Sequence, residues 1–282
     1  MADLRVRTTA TPTEEDLETF LDLLSTSYQS VPLTTAFITE IDGVTPGTEY
    51  RQLSSDRLRK HFSLGLPAAF KANVLLTTVS SSSSSRPLAA VLFEPPDFSG
   101  TPPAQARKQP GPILSQYRAV ARELKAKHMA IPESGPHQWD TPASPSQASS
   151  GPSMDPYPTQ FNKDANTEVR TFFHLALLVL DTSVPKEEAA RAAKEAVGVY
   201  LDKAKSADVP IFLEASSLES KNEFLSWGFK AVEEVAVGQD KVDSRGWPTQ
   251  GGEGVKVWGM IYNPECTCIS EQTTMQKCKL HF

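Results

Sequence analysis

Thr171-Phe172-Phe173-His174-Leu175-Ala176-Leu177-Leu178-Val179-Leu180-Asp181 is the longest apolar run in the chain, broken only by His174. A short continuous run of this kind, bounded by turn-forming residues, reads as a strand buried on both faces. Behind it, Pro185 stands where a helix can open, and Ala189, Ala193, Ala196, Val197, Tyr200 and Ala204 recur at helical spacing across Lys186 to Lys205. Side chains this small along the apolar stripe predict close packing of that helix on a sheet. Ile211 to Ser217 is a second buried strand. Strand, helix and strand in this order make a parallel pair joined by a right-handed crossover. A short helix over Lys221 to Trp227 then ends at Gly228. Glu233 to Val237 and Val255 to Tyr262 follow as strands joined through a Gly-rich loop, which makes the sheet mixed.

Leu4 to Thr8 alternates apolar and polar residues, as a half-buried strand does. Thr13 and Asp16 have the spacing of a capping box, ahead of a helix with Leu17, Phe20, Leu21, Leu24 and Tyr28 on one face. A second helix is predicted after Ser55, with Leu58 and Phe62 inward and Pro67 interrupting it. Val74 to Val79 and Pro87 to Phe93 read as strands flanking the serine tract Ser80 to Ser85, a hairpin loop by composition. Leu114, Tyr117, Val120, Ala121 and Leu124 mark a further helix. From Ile131 to Gln160 half of the residues are Pro, Ser or Gly, and periodicity is lost. The expected organisation is one domain over residues 1–262 with a flexible insertion at about 131–165, then a polar Cys-containing tail over 263–282.

With 282 residues, 39% of them hydrophobic, the chain can fill a sizeable core. A net charge of −6 argues against a phosphate-backbone partner. No segment has the length of apolar sequence that a membrane span needs, and Met1 to Thr11 lacks a signal-peptide core, so a cytoplasmic protein without nucleic-acid or membrane partners is expected. All three cysteines, Cys266, Cys268 and Cys278, lie in the last 17 residues, which does not describe a disulfide framework. With His281 they have the ligand types of a zinc site, but the spacing favours free thiols and no metal.

The order of elements resembles the GNAT superfamily of N-acetyltransferases, and fungal members of it in particular. Phe173 to Asp181 is similar to their fourth strand, Phe212-Leu213-Glu214-Ala215-Ser216-Ser217 to their fifth, and Phe224 to Phe229 to the "GF" ending of the following helix. The resemblance implies a mixed α/β fold with a twisted, mostly antiparallel sheet of about seven strands and a parallel pair at its centre. In that family a Gly-rich loop ahead of a helix cradles the pyrophosphate of acetyl-CoA. Counted back from Glu214, its counterpart here is Glu188-Ala189-Ala190-Arg191-Ala192-Ala193, without glycine and with an acidic residue at its start. Phe224 stands where many members carry a Tyr that protonates the departing thiolate. These departures imply no cofactor, with acetyl-CoA as the alternative.

His174 falls where histone acetyltransferases of the superfamily place a glutamate base, and an imidazole can move protons in both directions near neutrality. A core histidine satisfied by backbone is the competing account. Glu214, a carboxylate in an apolar strand, must be paired, raised in pKa or open to a wet cleft. His174 and Glu214 are therefore the candidate catalytic residues. Ser216 and Ser217 read as helix caps. His61 reads as solvent-exposed, His137 and Trp139 as insertion residues, and Trp247 as part of a cleft rim. Three functions compete: a CoA-independent acid–base enzyme on a small organic molecule, of cyclase, isomerase or lyase type and set in fungal specialised metabolism; an acyl-CoA-dependent N- or O-acetyltransferase; and a non-catalytic scaffold or sensor. The missing glycines favour the first.

Overall fold

The computed structural model describes residues 3–96, 98, 111–129 and 171–264. The insertion expected at about 131–165, with His137 and Trp139, lies outside the described residues, as do Cys266, Cys268, Cys278 and His281.

In chain order the elements are β1 (Leu4–Thr9), α1 (Glu14–Ser27), α2 (Pro32–Ile41), α3 (Ser55–Phe62), α4 (Leu66–Lys71), β2 (Leu75–Ser81), β3 (Pro87–Glu94), α5 (Pro112–His128), β4 (Phe173–Leu180), α6 (Lys186–Ala207), β5 (Ile211–Ala215), α7 (Leu218–Ser226), β6 (Lys230–Val237) and β7 (Val255–Tyr262). The strands form one seven-stranded sheet in the order β1-β2-β3-β4-β5-β7-β6. Every neighbouring pair is antiparallel except β4 and β5, which run parallel. This is the mixed architecture that the sequence predicts, with β7 inserted between β5 and its hairpin partner β6.

Local chemistry accounts for most boundaries. Thr13 and Asp16 form a complete capping box at the start of α1. Pro67 opens α4 instead of merely ending α3, because a proline in the first helical turn removes an amide that has no intrahelical acceptor anyway. Ser217 Oγ accepts the Ser220 amide at 3.1 Å and caps α7, which ends at Gly228 with φ of 93°. Helix α2 is absent from the sequence reading. Every residue from Leu33 to Thr39 is buried, so α2 shows no amphipathic stripe, and three of these residues are β-branched threonines.

The two faces of the sheet carry different layers. On one face α6 lies over β2, β3 and β4, burying Ala192, Ala193, Ala196, Val197 and Tyr200 against Phe93, Leu175 and Leu213. The alanines permit the close approach, and Tyr200 stacks on Phe93 with ring centroids 3.6 Å apart. On the other face α1, α3 and α4 cover β2 to β4, while α2 and α5 cover β6 and β7. Between α1 and α5, that second face is where β4 meets β5.

Candidate active site at the fork between β4 and β5

β4 and β5 begin together and then part. Only Phe173 and His174 pair with β5, opposite Ile211 and Phe212, although β4 continues to Leu180 and β5 to Ala215. Beyond this point β4 keeps its partner β3 on one side only. A bulge sits at the fork: Leu92 faces Leu177 and Phe93 faces Leu175, leaving Ala176 as the extra residue. The Asp181 amide donates to the Leu88 carbonyl of β3 at 2.8 Å. By strand alternation, Leu178 and Leu180 therefore turn their backbone groups to the parted edge. Tyr28, at the end of α1, donates its hydroxyl to the Leu178 carbonyl at 3.3 Å.

The pairing register assembles a chain of charged side chains at the fork. Glu94, the last residue of β3, lies directly across from His174, and Glu214 lies two residues beyond His174's neighbour Phe212 on β5. His174 Nδ1 lies 2.6 Å from Glu94 Oε2, and Nε2 lies 2.9 Å from Glu214 Oε2, both within hydrogen-bond distance. Glu214 Oε1 is 3.1 Å from Lys125 Nζ of α5, and the Lys125 and Glu214 side chains are each 5% exposed. Exposure rises along the chain to 14% at His174 and 24% at Glu94, so Glu94 is its solvent-facing end.

The electrostatics follow from this order. Burial pushes the Glu214 carboxyl up, but Lys125 and His174 beside it more than reverse the effect and hold it at about 2. Burial likewise works against ionised Glu94, and His174 outweighs it, leaving the carboxyl below its usual value. At His174, burial and Lys125 disfavour the charged ring, yet the two carboxylates prevail and raise its pKa. Tyr117 of α5 faces the same carboxylates, and burial together with Glu214 lifts its hydroxyl well above 10. Two aromatic pairs stand on the helices over this face: Tyr28 packs edge-on to Phe62 and Tyr117 against Phe37.

The structure thus brings His174 and Glu214 into direct contact, as two members of a four-residue chain. Glu94 and Lys125 are the members that sequence reasoning missed. Elsewhere, Phe224 is buried among Trp227 and Phe229. His61 is half-buried with its ring against Phe62, not solvent-exposed. Trp247 is also a packing residue: it is 7% exposed and its indole donates to the Thr48 carbonyl at 2.7 Å. Among the described residues there is no group of three or more His, Cys, Asp or Glu able to hold a metal ion. No helix among them is long and apolar enough to cross a membrane.

No protein-family profile and no curated relative matches the sequence. Solved structures do. The C-terminal condensation domain of Ebony in complex with beta-alanyl-dopamine matches with a TM-score of 0.57 over 93% of this chain and 100% of that one, at 9% identity. A mosquito arylalkylamine N-acetyltransferase like 5b matches with a TM-score of 0.51 over 93% and 100%, at 12% identity. This chain has the GNAT fold.

Within that fold the expectation of no cofactor is corrected. The matching structures include N-acetyltransferases, the mosquito one above among them. An acyl-CoA, in place of none, is therefore the cofactor reading taken up below. The physical reason lies in the loop count. Residues 188–193, read from the sequence as the phosphate loop, are inside α6; the loop that precedes the helix is Thr182 to Pro185. Backbone amides are the anion donors at a helix start, and glycine there serves only close approach. Pro185 supplies no side-chain cap, and its carbonyl accepts the Glu188 and Ala189 amides. In a first turn that also carries the Glu187 and Glu188 carboxylates, this leaves the Lys186 and Glu187 amides at the start of the 22-residue helix without an intrahelical acceptor. Asp181 fixes the approach to them by accepting the Ser183 amide and hydroxyl at 2.9 and 2.6 Å and pairing with Arg86. The parted β4 edge and the Lys186 and Glu187 amides at the start of α6 are the groups that would hold an acyl-CoA.

Proposed function

We propose that this protein transfers an acyl group from an acyl-CoA to the nitrogen of a small aromatic amine. The parting of β4 from β5 carries the proposal. It leaves the backbone groups of Leu178 and Leu180 facing a wedge, where an extended chain bearing amides can pair as a strand would. An acyl-CoA supplies an activated thioester there. The protein's part is to hold the amine against it and accept the proton that the nitrogen loses. Glu94, at the exposed end of the Lys125–Glu214–His174–Glu94 chain, offers a carboxylate to an incoming ammonium. Tyr28, Phe62, Phe37 and Tyr117 form walls for a ring. The beta-alanyl-dopamine in complex with the first structure above and the arylalkylamines in the name of the second are of a related class. Fungal specialised metabolism is the setting that the strand motifs suggest. The CoA-independent reading has less support, since it rests on glycines missing from a stretch that is helix.

Calorimetric titration with acetyl-CoA, followed by a thiol-release assay with tyramine and with butylamine, tests the proposal. A micromolar dissociation constant and CoA release that depends on tyramine more than on butylamine are expected. No binding at millimolar acetyl-CoA would overturn it.

A further inference from the structure

His174 has an acceptor on both of its ring nitrogens, and this constrains its chemistry. A neutral imidazole carries one N–H, so one of the two contacts, at 2.6 or 2.9 Å, would set a ring lone pair against a carboxylate lone pair. With both carboxyls held ionised, below their usual range, both contacts are satisfied only by the doubly protonated ring. The groups facing it are Glu94 from β3, Glu214 from β5, Lys125 and Tyr117 from α5, and Tyr28 from α1. With both carboxylates ionised, the ring and the ammonium charged and the phenols neutral, the cluster sums to zero. Removing the ring proton would leave −1 in a site where Lys125 and Glu214 are almost wholly buried, a costly imbalance.

We infer that His174 is a fixed imidazolium clamp, not the proton carrier, and that Glu94 is the catalytic base, with Lys125 acting through Glu214 as a positioning residue. The inference rests on the acyl-transfer reading for the role of Glu94, but not for the charge of His174. In the reaction the substrate ammonium first gives one proton to the Glu94 carboxylate, forming O–H where N–H breaks and freeing the nitrogen lone pair. The amine then bonds to the acyl carbon as the C–S bond breaks, CoA leaves as the thiolate and takes up the second nitrogen proton, and the imidazolium keeps both of its protons. Of the four residues in the cluster, Glu94 is the one that combines an ionised carboxylate with partial exposure, 24% of its side chain. Glu214 cannot take this role, because its two oxygens are engaged by His174 and Lys125.

The test begins on the free full-length protein with ¹⁵N-labelled histidine. The clamp requires the two His174 nitrogens to show imidazolium shifts at pH 7, with a titration midpoint above that of a free histidine. Glu94→Gln and Glu214→Gln should each lower that midpoint, whereas Lys125→Met should raise it. Should Lys125→Met fail to fold with Glu214 left unpaired, the double variant Lys125→Met/Glu214→Gln restores neutrality and should keep a midpoint below that of the wild type. A neutral ring at pH 7 would overturn the clamp whether or not the protein binds acyl-CoA. For the base, kcat/KM with tyramine should be flat from pH 6 to 8 in the wild type. Glu94→Gln should lower kcat about 10²–10⁴-fold at every pH, the range of a lost general base, with KM little changed. Full turnover in Glu94→Gln, or a wild-type profile that rises through the His174 midpoint, would return the role to His174. Absence of acetyl-CoA binding in calorimetry would instead remove the acyl-transfer reading and Glu94's role with it, leaving the charge of His174 decided by the nitrogen shifts alone.

Discussion

An imidazole held between two carboxylates ties the stability of the fold to pH, and the sign follows from the direction of each shift. His174 is raised above its ordinary 6.5. Its contribution is fully present below pH 6.5 and is lost as pH rises through the folded value. Glu214 is held at about 2, below its ordinary 4.5, so its contribution is present above pH 4.5 and lost as pH falls toward about 2. Glu94 acts in the same sense as Glu214. Urea unfolding should therefore give greatest stability between roughly pH 5 and 6.5, with a decline on the alkaline side. In His174→Gln that alkaline decline should flatten, because nothing titrates between the carboxylates. An alkaline slope equal to that of the wild type would show that the decline arises elsewhere. At this scale half of the site was legible in the sequence. A histidine and a glutamate in apolar strands are conspicuous because each needs a partner. Glu94 ends its strand beside Pro95, and Lys125 is one of several charged residues on an ordinary helix, so neither stands out until β3 and α5 are seated against them.

Helix α6 shows how the small residues of one element divide into those that pack and those that do not. Ala193 and Ala196 are fully buried, whereas a Cβ added at Gly198 would meet nothing within 4 Å. Gly198 lies inside the helix without a positive φ, so it carries the entropic cost of glycine with no steric return. Gly198→Ala should stabilise the protein by about 0.5–1 kcal/mol. Gly246 is the opposite case. It has φ of 78°, and a Cβ there would overlap the Pro32 carbonyl and stand 2.8 Å from the Ala36 amide of α2. Gly246→Ala should destabilise by more than Gly198→Ala gains, and thermal melts of the two variants moving in the same direction would contradict this account. The elements themselves were legible where burial is one-sided or a run is wholly apolar, as in α1, α6, β4 and β5. The fork was not. A bulge at Ala176 and a parting after His174 depend on which strands lie on either side, and alternation along β4 alone carries no trace of them.

For the whole molecule, the fork is a place where a seven-stranded sheet is left open at its centre. Central strands ordinarily satisfy both edges, and an unpaired edge exposes a row of donors and acceptors. Here β4 is paired along its length only with β3, and Ala176, Leu177 and Leu178 are half-buried in the middle of the sheet. A ligand that pairs with that edge completes the sheet and holds together the two halves, β1 to β4 and β5 to β7, that now join through a short parallel contact. Binding to the native state alone stabilises by mass action, about 2.7 kcal/mol at one hundred times the dissociation constant. For a chain of this size that corresponds to a rise in melting temperature of roughly 5–10 °C. Saturating acetyl-CoA should produce a shift of that order. It should also slow amide exchange at Leu178 and Leu180, which face the fork, more than at Val179, which already faces β3. Desulfo-CoA lacks only the sulfur, so it should give much of the same protection, because the strand-like pairing is made by its amides. Protection confined to the first turn of α6, with the β4 amides unchanged, would place the nucleotide end at the helix but show that the fork is not where the rest of the molecule lies.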